Sequence, residues 1–286
     1  MPLVGCVCSP HKPVPWKVFA LFKATAARIP GSAVPVNNWV AENTEGMITE
    51  LVTDDLIMDP LVKAILLNAV YFKGDWLHPF NPRHTVVGSF DTPSGPCPCR
   101  MMKLTREVPF QQNELGSAVA LPYQGESVRA IIILPAKPGL AGAAELCMAL
   151  SESDGEAWQA MRTGYVSTRV ALSIPRFRLE YGVEDISREL SSMGLAPLFE
   201  KPGGFMRMGP WDDLMLTQVL HKTVVEVTEK GTEAAAASAA VMKRRCKPRP
   251  PREFTVDRPF LFAIETIMSG ELLFIGLVSS PEFIGT

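Results

Sequence analysis

The run Leu61–Phe72, LVKAILLNAVYF, is nearly continuous in apolar, β-branched and aromatic residues. It is long enough for a helix, yet its composition fits a strand buried on both faces better. Such a strand can exist only inside a sheet that other elements cover, which constrains the fold more than any other feature of the chain.

Further segments repeat the strand pattern. VALPYQGESVRAIIILPA (119–136) reads as two strands around Gln124–Gly125, and LTQVLHKTVVEVTEK (216–230) alternates like a strand. YVSTRVALSIPRFRLE (165–180) reads as one strand whose proline marks a bulge or an edge. FLFAIETIMSGELLFIGLVSS (260–280) reads as a hairpin turning at Ser269–Gly270. Helical spacing is found at Val40, Met47, Ile48 and Leu51, and again at Val183, Ile186, Leu190 and Met193. These elements predict an α+β fold with long strands and no internal repeat.

The 286 residues are 47% hydrophobic and 20% charged, the balance of a globular chain with a sizeable core in one large domain or two small ones. A net charge of −2 gives the whole chain no pull toward nucleic acid or an anionic membrane. No stretch approaches the roughly 18 apolar residues of a membrane span. Residues 1–36 stand apart. Pro2, Pro10, Pro13, Pro15, Pro30 and Pro35 interrupt any helix, and the segment is expected to be disordered. It makes a poor signal peptide, and no Asn-x-Ser/Thr sequon follows it.

Cys6, Cys8, Cys97 and Cys99 form two C-x-C pairs, while Cys147 and Cys246 stand alone. The spacing is wrong for a C-x-x-C zinc knuckle and the four histidines are scattered, so no metal or other cofactor is expected. G-x-S-x-G, H-E-x-x-H, G-x-x-x-x-G-K-[ST] and G-x-G-x-x-G are all absent. His221 lies within a strand pattern, where a buried, hydrogen-bonded role outweighs a catalytic one. With no nucleophile–base constellation, an enzyme is not expected.

The stretch 229–250, EKGTEAAAASAAVMKRRCKPRP, joins a small-residue run to a basic, proline-studded end. An exposed alanine helix explains the first part alone. A solvated charge patch or polyanion site explains the second, where Lys243, Arg244, Arg245, Lys247, Arg249 and Arg252 precede the first acid, Glu253.

Five motifs join these pieces. NNWVAENTEGMI, NAVYFKGDW, LPYQG, HKTVVEVTEKGTEAAAASA and DRPFLFAI occur in one order, from about Val36 to the C-terminus. Together they resemble the serpins, a family of serine protease inhibitors. DRPFLF and the arginine-rich bait are most similar to the clade of plasminogen activator inhibitor-1 and glia-derived nexin, and within it to the third member. The resemblance implies large mixed and antiparallel sheets, surrounding helices and an exposed reactive loop over 229–256, in a partial domain over 37–286.

The resemblance also assigns roles. A serine protease cleaves the loop and is trapped as an acyl-enzyme while the cut loop enters the main sheet as an extra strand. Glu229 and Gly231 form the hinge, and Thr232, Ala234, Ala236 and Ser238 enter the sheet. Successive side chains of a strand alternate, so these four and Ala240 share one face, small and uncharged. Glu233 falls on the other face, where water can solvate it.

Carried from Glu229, the family's spacing places the cleaved bond at Arg245–Cys246, with Arg245 as bait for a trypsin-like protease, which holds an aspartate in its first pocket. Asn68 and His221 match the cluster beneath the sheet called the shutter. Trp76 matches the tryptophan where the loop first enters. The partners implied are a trypsin-like protease, held covalently, and heparin or another polyanion at 243–252, with no nucleic acid and no membrane. Location would be extracellular.

The match leaves the family's N-terminal helices without a counterpart in residues 1–36. A truncated member is implied, with the strand at Leu61–Phe72 left as an exposed edge and inhibition poor. The remaining alternatives are a non-inhibitory serpin and a polyanion-binding protein.

Overall fold

A computed structural model of the chain describes residues 3–8, 25–201, 215–230 and 250–285. It divides into two compact units, Met1–Phe72 with Leu179–Val225, and Lys73–Arg178 with Glu226–Thr286.

The first unit is built on a sheet in the order β9-β10-β3-β1-β2. Its strands are β1 (Leu3–Cys8), β2 (Thr25–Arg28), β3 (Ala64–Phe72), β9 (Phe177–Asp185) and β10 (Gln218–Val227). β3 is the strand expected from its apolar run, and both of its faces are covered. Ile65, Leu67 and Ala69 pack with Val36 and Val40 of helix α1 (Val34–Asn43), while Ala64 and Leu66 pack with Val219, Ile186, Leu190 and Phe199. β10 runs parallel to β3, pairing His221 with Asn68 and Val225 with Phe72.

The exposed edge expected at Leu61–Phe72 is corrected. β1 pairs antiparallel with β3 from Leu3↔Ala69 to Cys8↔Ala64, so backbone from the N-terminal segment satisfies the side of β3 opposite β10. β2 then pairs parallel with β1.

Two helical expectations are also revised. The periodicity through Leu51 continues after the helix has ended at Asn43. The buried Thr44 hydroxyl donates to Val40 O at 2.8 Å and accepts from Ile48 N at 3.1 Å, turning the chain through left-handed Glu45 and Gly46. Asn37 then clamps the extended segment, accepting from Leu51 N and Val52 N and donating to Val52 O. In the second case β9 persists to Asp185, so Val183 lies on a strand. The helical part begins at Ser187 and is broken at Gly194, whose φ of 98° lies in the left-handed region.

The second unit holds a sheet in the order β11-β8-β5-β6-β7-β12-β13, with β4 also pairing β5. These strands are β4 (Val86–Thr92), β5 (Gly95–Gln112), β6 (Gly116–Pro122), β7 (Val128–Pro135), β8 (Val166–Pro175), β11 (Arg252–Thr255), β12 (Phe260–Thr266) and β13 (Leu272–Val278). Helices α2 (Gly139–Glu152) and α3 (Glu156–Arg162) cover one face, where Leu146 and Met161 meet Ala118, Ile131, Ile133 and Leu261. On the other side, edge contacts link the rings of Phe90, Phe260, Phe177, Phe262 and Phe274. The single strand expected over 165–180 is two, β8 and β9, which belong to different sheets and part at Arg176.

Candidate functional site

β10 ends at Val227, and the next two residues are held tightly. Trp76 Nε1 donates to Thr228 O at 2.9 Å. Glu229 is buried, 6% exposed. Its Oε1 accepts from Thr85 Oγ1 at 2.6 Å, and its Oε2 lies 3.2 Å from Arg176 Nε. The Arg176 contact is a close ion pair without hydrogen-bond alignment. A carboxylate so buried is costly unless a cation and a donor meet it, and here both do.

Trp76 is positioned by its own neighbours. It is 3% exposed and stacks on Tyr123 with ring centroids 4.5 Å apart, with Phe80 edge-on at 6.2 Å. Backbone bonds from Leu77 N to Pro122 O and from Gln124 N to Asp75 O tie the segment to the β6–β7 turn. Burial pushes the Tyr123 phenol well above its ordinary range. Beside Trp76, a cavity of about 100 Å³ is lined by His78, Phe80, Leu104 and Arg106 among others. That is below the roughly 300–1,000 Å³ of small-molecule sites. Burial, then the Arg106 charge, lowers the His78 pKa.

In the first unit, His221 joins two partners. Asn68 Nδ2 lies 3.0 Å from His221 Nδ1, and Thr223 Oγ1 lies 2.7 Å from Nε2. With the amide nitrogen facing the ring, Nδ1 accepts and Nε2–H donates to the threonine. Burial lowers the pKa of His221, which favours this neutral form. The ring is a hydrogen-bonded strand residue.

The structure thus brings Trp76 to the backbone beside Glu229, and Asn68 to His221. Gly231, Thr232, Ala234, Ala236, Ser238, Arg245 and Cys246 lie outside the described residues. The sequence did not single out Thr85, Arg176 or Thr223. A buried Glu229 would have called for a cation, but 28 lysines and arginines compete for that role.

The comparisons fall in line with this fold. The family model Serpin (serine protease inhibitor) matches residues 20–281. Serpin B6 of Macaca fascicularis is 37% identical over 251 residues, covering 86% of this chain and 65% of the relative. The Arabidopsis structure AtSerpin1, in its native stressed conformation, superposes with a TM-score of 0.82 at 27% identity, covering 98% of this chain and 75% of that one. Native protease nexin-1 with heparin gives a TM-score of 0.81 at 24% identity, covering 98% and 76%. The chain belongs to the serpin family and has the serpin fold of large mixed sheets and helices. It spans 65% of the length of the Serpin B6 relative.

The grounds of the non-enzyme expectation are corrected by this result. Missing hydrolase motifs do not decide the matter; membership of a family described as serine protease inhibitors bears on it directly.

Proposed function

We propose that this chain inhibits serine proteases as a suicide substrate, with Arg245–Cys246 as the bond offered to a trypsin-like enzyme. The observation that carries the reading is the anchored hinge: Glu229, held by Arg176 and Thr85 at the end of β10, immediately before the small-residue run. A strand that reverses after β10 can lie antiparallel to both β10 and β3, which are parallel neighbours. Thr232, Ala234, Ala236 and Ser238 would then face one side, and their size keeps the cost of burial small.

In the reaction, the protease serine attacks the Arg245 carbonyl. An ester forms to Arg245 and the peptide bond breaks, with Cys246 leaving as a new amino terminus. The ester persists only if strand insertion outpaces its hydrolysis. Where hydrolysis comes first, the enzyme is released and the loop is left cut.

Incubation of the chain with trypsin, followed by denaturing gels, tests this. A complex resistant to denaturant, lost in Arg245→Ala, is expected. Its absence at every ratio of enzyme to chain would point to a non-inhibitory serpin. Placement beside plasminogen activator inhibitor-1 and glia-derived nexin rests on DRPFLF and the arginine bait alone. Secretion draws no support from the relatives found, and the proposed chemistry does not depend on it.

The basic run supports a second reading, a polyanion contact through Lys243, Arg244, Arg245, Lys247, Arg249 and Arg252. Arg252 is already engaged, with Nη1 2.7 Å from Gln112 Oε1 and its guanidinium over the Phe110 ring. Retention on heparin that falls steeply with salt, and is lost when the other five are changed to serine, is the expected result.

A further inference from the structure

Met102, Leu104, Arg106, Val108 and Phe110 occupy alternate positions on β5, so their side chains leave the strand on one face. All five are buried or half-buried, and Arg106 interrupts an otherwise apolar row with a guanidinium. Burial lowers the pKa of that group. Arg129, Arg162 and Arg176, which are also partly buried, each meet a carboxylate. Arg106 does not. Among the described residues its hydrogen bond runs from Nε to the adjoining Glu107 O at a long 3.4 Å, and no ion pair reaches it. A half-buried cation without a counter-ion is costly, and its site calls for an anion.

We propose that the cavity beside Trp76 binds a small carboxylic acid in its ionised form, with Arg106 as the counter-ion and the apolar wall as the seat of a short hydrocarbon tail. The cavity measures about 100 Å³, and Phe80, Leu104, Val108, Leu121 and Pro122 line it together with Arg106. All of these residues belong to the second unit. An apolar cavity of about 150 Å³ takes benzene, so this one has room for a tail of about three to five carbons. The planar guanidinium can donate two parallel N–H bonds to a carboxylate, which fixes the head group while the tail displaces water from the wall.

The lining argues for this class over its neighbours. Phosphate could take the same two N–H bonds, but its other oxygens would face Leu104, Val108 and Phe80 without donors. A neutral apolar guest would leave the guanidinium both dehydrated and unpaired. His78 lines the cavity from an exposed position. The Arg106 charge reaches it, since after burial Arg106 is the next cause that lowers the His78 pKa, with Glu126 opposing. Its neutral ring offers one further N–H to a bound anion.

The test is saturation-transfer NMR on the methyl signals of isovalerate, titrated against the full chain in a buffer free of other carboxylates. A Kd on the order of a millimolar is expected for so small a ligand. Isovaleramide, of the same shape without the charge, and inorganic phosphate, added as a competitor, should each bind at least about tenfold more weakly. Arg106→Met keeps an unbranched apolar stem and removes the charge, and should weaken isovalerate by about tenfold or more. Leu104→Phe keeps the guanidinium but fills the cavity, and should weaken it as well. Circular dichroism identifies any variant that fails to fold, and the comparison of isovalerate, isovaleramide and phosphate on the parent chain needs no variant. Equal binding of isovalerate and isovaleramide, or displacement by phosphate at the same concentration as by isovalerate itself, would overturn the proposal. So would binding that survives Arg106→Met, which would place the carboxylate on the basic run 243–252 instead.

Discussion

Arg176 and Glu229 form an ion pair at 3.2 Å, with the carboxylate buried and the arginine 27% exposed. Arg176 sits where β8 gives way to β9, so the pair fastens the residue that follows β10 to the point at which the chain passes from β8 to β9. Arg176→Ala leaves Glu229 buried with Thr85 as its remaining donor. A loss of roughly 1–3 kcal/mol is expected, below the roughly 3–5 kcal/mol of a fully buried pair because Arg176 is partly solvated. Urea denaturation measures the loss. Faster hydrogen exchange at 226–230 should accompany it, and unchanged exchange there would contradict the anchoring role.

Trp76 contributes through two contacts of different size. Trp76→Phe keeps an aromatic face for Tyr123 but loses the donor to Thr228 O, costing about 1 kcal/mol. Trp76→Ala also empties the buried site and should cost about 3–5 kcal/mol. If thermal denaturation finds the two variants equal, the hydrogen bond rather than the packing dominates.

His221 makes stability depend on pH. Burial lowers its folded pKa below the ordinary 6.5, so the unfolded chain takes up the proton first as pH falls. Its contribution is whole above about pH 6.5 and is lost progressively as pH falls toward the folded value. Protonation also removes the acceptor that Nδ1 offers Asn68. His221→Gln should flatten this part of the stability profile. An unaltered profile between pH 7 and 5 would assign the dependence to other groups.

Much of this fold was legible because its strands are written in apolar pattern. β3, β6, β7, β10, β12 and β13 could be read from runs of β-branched and aromatic residues or from alternation. β5 could not. Prolines 96, 98 and 109 break its propensity, and its buried face changes phase between Met101 and Met102 as pairing passes from β4 to β8. The end of α1 was hidden because Thr44 and Asn37 hold Ile48 and Leu51 in the core without helical backbone. At the site, Glu229, Trp76, Asn68 and His221 came from motif resemblance. Arg176 and Thr85 did not, since side chains meeting across long sequence separations leave no local signal.

Glu265 is fully buried between two arginines, with Oε1 2.6 Å from Arg129 Nη2 and Oε2 2.8 Å from Arg162 Nε. Glu265→Leu removes the charge that both guanidiniums were buried to meet. Because their side chains are 22% and 14% exposed, the loss should fall near the lower end of roughly 3–5 kcal/mol. A urea midpoint close to that of the parent chain would show that solvent already neutralises the cluster.

The most direct measurement for the proposed function is mass spectrometry of the chain after brief exposure to trypsin at equimolar ratio. The expected spectrum contains a released C-terminal fragment beginning at Cys246. A smaller population should join trypsin covalently to the portion ending at Arg245. First cleavage elsewhere, with no trypsin adduct, would contradict the assignment of Arg245–Cys246 as the bait.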